Sequence, residues 1–68
     1  MTDKTILDSI RDIIARADEA KANDDGSDYS KGRLMGLAEA LSILQIDFVG
    51  VEEIEKLIDF DIDKKYLL

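Results

Sequence analysis

The sequence predicts an all-α fold, in which two amphipathic helices form a hairpin and a short C-terminal helical segment packs back on it. Three observations favour this fold class. Apolar residues recur at helical spacing in three successive segments. No pair of segments shows the alternation of apolar and polar residues that a sheet requires. Hydrophobic residues form 46% of the 68 residues, which is too many for a disordered tail and fits one small domain.

The first helix is predicted over about residues 3–22. Apolar residues separated by four and three positions form one face of it: Ile6, Ile10, Ile13, Ala17 and Ala20. Its start has two interpretations. Thr5 followed by Asp8 fits a capping box, whereas Thr2 or Asp3 would begin the helix one turn earlier.

Residues 23–27 are predicted to be the hinge between the first two helices. Asp25 and Gly26 form a pair typical of turns, because aspartate bonds to nearby backbone N–H groups and glycine adopts conformations that other residues avoid. Ser27 or Asp28 then supplies the side chain that caps the next helix. This interpretation needs no ligand.

A calcium-binding loop is the competing interpretation of the same residues. An EF-hand loop needs oxygen ligands at positions 1, 3 and 5, glycine at position 6 and glutamate at position 12. Counted from Asn23, the first three requirements are met by Asn23, Asp25 and Ser27. Position 6 is Asp28 and position 12 is Leu34, so both stricter requirements fail. No metal site is predicted, and weak binding of a divalent cation is the alternative.

The second helix is predicted over about residues 28–45 and carries two apolar stripes. One stripe consists of leucines: Leu34, Leu37, Leu41 and Leu44. The other consists of small residues four apart, Gly32, Gly36 and Ala40, continued by Ile43. Each glycine inside a helix costs about 1 kcal/mol relative to alanine, so two of them need an explanation. Small residues at this spacing let another helix approach closely.

The small-residue stripe predicts a homodimer that is joined through the second helix. The leucine stripe would face the first helix, which leaves the other apolar side without a partner in so short a chain. The predicted interface residues are Gly32, Met35, Gly36, Ala40 and Ile43. In the alternative, the C-terminal segment covers this side within one chain, through Val51, Ile54, Leu57 and Phe60.

One or two short helices are predicted over about residues 51–68. Gly50 or a neighbour begins the first, in which apolar residues share one face: Val51, Ile54, Leu57 and Ile58. "DFD" then breaks the pattern, and Asp61 is placed to cap a last short turn. The alternation in "DFDID" would also suit a strand, but the chain offers no second strand to pair with it.

Acidic residues dominate the C-terminal third of the chain. The net charge is −7, and residues 51–68 hold six acids against three lysines. We expect a protein with a basic surface to be the partner of these acids: Glu52, Glu53, Glu55, Asp59, Asp61 and Asp63. Direct binding of nucleic acid is disfavoured, because phosphates attract basic patches. A helix-turn-helix in this segment would point Asp61 and Asp63 at phosphates, with only Lys64 and Lys65 to help.

The composition also disfavours catalysis, cofactors and membranes. Without histidine or cysteine, a zinc site and a histidine-activated serine are both unexpected. The lack of cysteine favours a cytoplasmic protein. No apolar run approaches the roughly 20 residues that span a bilayer, and charges interrupt the N-terminal residues in a way that a signal peptide does not allow.

Two functions follow from these observations. The first is a small, acidic, non-enzymatic helical module for protein–protein interaction or regulation, which self-associates. The second is an acidic inhibitor of a nucleic-acid-binding host protein, of the kind that phages and mobile elements encode, whose carboxylates stand in for phosphates.

Overall fold

The computed structural model describes residues 3–68, and all the secondary structure in that part of the chain is helical. The four helices are α1 (Lys4–Ala22), α2 (Asp28–Asp47), α3 (Glu52–Leu57) and α4 (Ile62–Tyr66). The predicted all-α fold, with two long helices packed together and a short helical segment packed back, is confirmed. The second helix extends two residues beyond its predicted end, and the C-terminal segment forms two short helices rather than a strand.

Three of the helices begin at a side chain that caps their free N–H groups. The Asp3 carboxylate accepts a hydrogen bond from the backbone N–H of Thr5 at 2.6 Å, so the cap of α1 lies two residues before the one that Thr5 would have supplied. Thr2, the other predicted cap, lies outside the described residues. Ser27 and Asp61 each accept from the N–H three residues further on, at 3.1 Å. Caps of this kind stabilise a helix by about 1 kcal/mol each.

The hinge at residues 23–27 uses its carboxylates to hold its own backbone. Asp24 accepts from the N–H of Gly26, and Asp25 accepts from the N–H of Ser27, each at 2.9 Å. Gly26 has a φ of 80°, in the left-handed region that glycine adopts most easily. Hydrogen bonds from Ser27 lower the pKa of Asp25 from 3.8 to about 2, and the bond to the Ser27 side chain has a larger effect than the bond to its backbone. Both aspartates therefore have a structural use in the turn.

The core lies between the two long helices and the C-terminal segment. Its buried side chains come from all four helices and from the residue after α3: Ile10, Ala17, Ala20, Leu34, Ala38, Leu41, Ile54, Ile58, Ile62 and Tyr66. α3 packs against α1, and α4 packs against both long helices. The leucine stripe of α2 thus splits, because Leu34 and Leu41 are buried whereas Leu37 and Leu44 are only half-buried.

Tyr66 fixes the end of the chain to α1. Its ring is 1% exposed, and its hydroxyl donates a hydrogen bond to Asp18 at 2.6 Å. Lys65 lies 3.5 Å from the same carboxylate and 4.3 Å from the centre of the Phe60 ring. Burial, followed by the bond to Asp18, raises the pKa of the Tyr66 hydroxyl well above its ordinary value.

Gln45 fixes the junction between α3 and α4 to the second helix. Its side-chain N–H₂ group donates to the backbone carbonyls of Ile58 and Phe60, at 3.0 and 3.2 Å. These carbonyls lie where the short helices are interrupted, so they lack helical partners. The bonds place the acidic C-terminal segment at a fixed position beside α2.

Candidate interaction surfaces

The side of α2 that faces away from the core is mostly apolar, with the exposed Glu39 in its middle. Successive residues of a helix are rotated by about 100°, which places Gly36 and Ile43 opposite the buried Leu34, Ala38 and Leu41. We call this side the outer face of α2. It consists of the charged Glu39 and of the less polar residues around it: Tyr29, Gly32, Met35, Gly36, Ala40, Ile43 and Ile46.

Large apolar side chains on this face are exposed to solvent. Met35 is 57% exposed, Ile43 52% and Ile46 70%, and Tyr29 at the start of the helix is 79% exposed. With Val49 just beyond the helix, they account for five of the eight exposed large hydrophobic residues in the described part of the chain. Scattered apolar residues are normal on a protein surface, but a continuous group along one helix usually marks an interaction site.

The two glycines of the outer face have free space beside them. A Cβ atom built on Gly32 or on Gly36 would meet no heavy atom within 4 Å. Neither glycine has a positive φ, so the backbone does not require glycine at these positions. Close packing inside the chain therefore does not explain them, and their cost of about 1 kcal/mol each remains for the monomer to bear.

The alternative in which the C-terminal segment covers this face is wrong. Ile54 is buried in the core on the opposite side of α2, and Val51, Leu57 and Phe60 pack partly buried against the same core. Four of the five predicted interface residues are exposed, and Ala40 is half-buried. The structure therefore brings these five residues together on one open side of the helix.

Sequence reasoning missed Tyr29 as part of this face. The sequence does contain a pattern that indicates it, because Tyr29, Gly36 and Ile43 are each separated by seven residues and so lie in one row along the helix. Tyr29 lies in the first turn of α2, before the first residue of either predicted stripe.

The predicted acidic surface lies on the C-terminal segment, and all six of its carboxylates are exposed. Some of them also have local structural roles. Asp61 caps α4, Glu55 accepts from the N–H of Gly50 at 3.1 Å, and Glu52 pairs with Lys56 at 3.2 Å. We call this set the acidic C-terminal surface: Glu52, Glu53, Glu55, Asp59, Asp61 and Asp63.

Two shallow depressions open on the surface. One, of about 220 Å³, lies between the end of α2 and α3, beside Gln45 and Glu55. The other, of about 310 Å³, lies near the hinge, where Lys21, Asp24 and Lys31 surround the apolar Leu34 and other side chains. All charged residues that line them are exposed.

Residues 3–68 contain neither a cluster of metal ligands nor a helix that could span a membrane. No group of three or more carboxylates lies close enough together there to hold a metal ion. None of the helices in this range has both the length and the apolar character needed to cross a bilayer. No protein-family model, curated protein or solved structure matches the chain.

Proposed function

We propose that the protein is a small, non-enzymatic helical interaction module. It self-associates through the outer face of α2 and presents its acidic C-terminal surface to a partner protein with a basic surface. The observation that carries this proposal is the exposure of Met35, Ile43 and Ile46 beside two glycines with free space around them.

Self-pairing would use this face on both copies at once. In a two-fold dimer the same surface is buried on each subunit, so an apolar side chain within the contact is removed from water on both copies. Complete burial of one such side chain contributes about 1.5–3 kcal/mol. This gain offsets the cost of Gly32 and Gly36 and enlarges the small core of a 68-residue chain.

The polar residues support a binding role rather than catalysis. General acids and bases act where burial shifts their pKa, and no charged residue is buried in the described part of the chain. The two titratable groups with shifted pKa values, Asp25 and Tyr66, are both used to hold the fold together.

A mimic of nucleic acid is the second candidate, and the observation that favours it is the exposure of all six carboxylates of the acidic C-terminal surface. Such an inhibitor occupies a basic groove on its target and competes with DNA or RNA for it. A pull-down from host lysate, repeated with nuclease and at high salt, separates the two candidates. A mimic captures nucleic-acid-binding proteins that added DNA displaces, whereas the partner of an interaction module is retained when DNA is added.

Light scattering at high micromolar concentration tests self-association directly. We expect a mass of twice 7.6 kDa for the parent chain. Gly36→Leu should return the mass to that of a monomer, because a bulky side chain blocks close approach of two helices. Glu19→Leu, which adds a leucine to the exposed side of α1, is the matched control and should leave the dimer intact. A mass near 7.6 kDa for the parent would refute the proposal.

A further inference from the structure

Two exposed charged residues at the edge of the outer face of α2, Arg33 and Asp47, indicate how two copies pair, an inference that rests on the proposed self-association. We infer that the two α2 helices pack antiparallel about a two-fold axis near Ala40. Arg33 of each copy then lies against Asp47 of the other. The occupant of the face is therefore a second copy of this chain in one defined orientation.

The spacing of three residues sets this geometry. Arg33, Ala40 and Asp47 are separated by seven residues each, so they lie almost in one row, with a drift of about 20° per seven residues. At a rise of 1.5 Å per residue, Arg33 and Asp47 lie about 10.5 Å on either side of Ala40. A two-fold axis at Ala40 places Arg33 of one copy at the same level along the helices as Asp47 of its partner.

The charges of this row favour the antiparallel orientation over the parallel one. Arg33 and Asp47 are exposed, and neither forms an ion pair with any residue that the structure describes. A parallel pair would place Arg33 against Arg33 and Asp47 against Asp47, which is repulsive at both ends, and would also align the helix dipoles. An antiparallel pair makes two attractive contacts instead. Glu39 lies near the Glu39 of the second copy in both the parallel and the antiparallel pair, so it does not discriminate between the two orientations.

The shapes of the side chains agree with the charges. About an axis near Ala40, Ile43 of one copy lies over Gly36 of its partner, where a Cβ atom would have met nothing within 4 Å. A large side chain thus fills the space beside a glycine. A parallel pair would place Ile43 beside Ile43 and Gly36 beside Gly36, which leaves the space at the glycines unfilled.

Charge reversal on the full chain tests the orientation. Arg33→Asp and Asp47→Arg should each weaken the dimer about tenfold, measured as the Kd by sedimentation equilibrium, because each replaces two attractive contacts with two repulsive ones. The double variant should return the Kd to within about threefold of the parent, because the pairs are restored with their signs exchanged. Arg16→Asp, which reverses a charge on the exposed side of α1, is the matched control and should leave the Kd unchanged.

Disulfide trapping gives a second readout, since the chain has no cysteine of its own. Gly32→Cys and Asp47→Cys should form a mixed disulfide when the two variants are combined. Gly32→Cys alone should form a disulfide with itself much more slowly. Cysteines bridge only when their Cα atoms are within about 7 Å.

The outcomes separate this inference from the proposed function. A dimer that resists both charge reversals, or that forms the Gly32→Cys disulfide by itself, overturns the antiparallel pairing and leaves self-association standing. A parent chain that is monomeric throughout refutes self-association and this inference together.

Discussion

Truncation of Leu41 to alanine should cost far more stability than the same change at Leu37. Both leucines belong to the predicted stripe of α2, but Leu41 is 0% exposed and Leu37 is only half-buried. Leu41 lies among Leu34 and Ala38, which are buried too, so the space left by its side chain cannot be filled by a shift of surface residues.

The magnitude follows from burial. Leucine-to-alanine changes at fully buried sites cost about 2–5 kcal/mol, through lost transfer free energy and the cavity left behind. We expect about 3–4 kcal/mol for Leu41→Ala, and about 1–2 kcal/mol for Leu37→Ala, which loses part of the transfer contribution and leaves no closed cavity. At about 0.05–0.15 kcal/mol per residue, a chain of this length has only about 3–10 kcal/mol in total.

Urea and thermal unfolding followed by far-UV circular dichroism provide the test, at one fixed protein concentration because a dimer makes the Tm depend on concentration. One kcal/mol corresponds to about 4–8 °C in a domain of this size, so Leu41→Ala should lower the Tm by well over 10 °C or prevent folding. Leu37→Ala should remain folded. Equal shifts for the two variants, or a larger one for Leu37→Ala, would refute the assignment of the core face.

Three further predictions concern titration and metal binding. Tyr66→Phe should lower the free energy of unfolding by about 1 kcal/mol, because the half-exposed Asp18 regains water when it loses its partner. The folded-state pKa of Tyr66 lies above its ordinary 10.0, so the parent should also lose stability more steeply than this variant as the pH rises above about 10. Asp25→Asn should make stability depend less on pH between pH 2 and pH 5. The lowered pKa of Asp25 gives a contribution to stability that is complete above about pH 4 and lost as the pH falls toward 2, and urea midpoints measured over this range provide the test. Calcium at millimolar concentration should leave the Tm nearly unchanged, because Asp24 and Asp25 already accept hydrogen bonds from the hinge backbone. A saturable rise of the Tm by several degrees would contradict this prediction.

The helical period predicted the parts of this fold that depend on neighbours in sequence. It located α1 and α2, and turn chemistry located the hinge between them. Tyr66 was not expected to be among the largest buried side chains, because its partner Asp18 lies 48 residues away and no local pattern records so distant a contact. Gln45 was missed for a similar reason, since the carbonyls that it binds belong to a junction 13 and 15 residues further on. The apolar residues of the outer face follow from the helical period, but only the structure shows that the C-terminal segment leaves them open.

The glycines of α2 connect the stability of one chain with its association. Alanine at Gly32 and Gly36 would fit the monomer without contact and would favour the helix by about 1 kcal/mol at each position. A monomer is therefore less stable with glycine at these two positions than with alanine. The proposed dimer would offset this loss, because a second helix can approach glycine more closely than it can approach a residue with a Cβ atom. Ile43 of a second copy has the size to do so, and it is itself 52% exposed until it is covered. In the proposed dimer, the two glycines that weaken the isolated helix provide the space, and Ile43 provides the apolar surface.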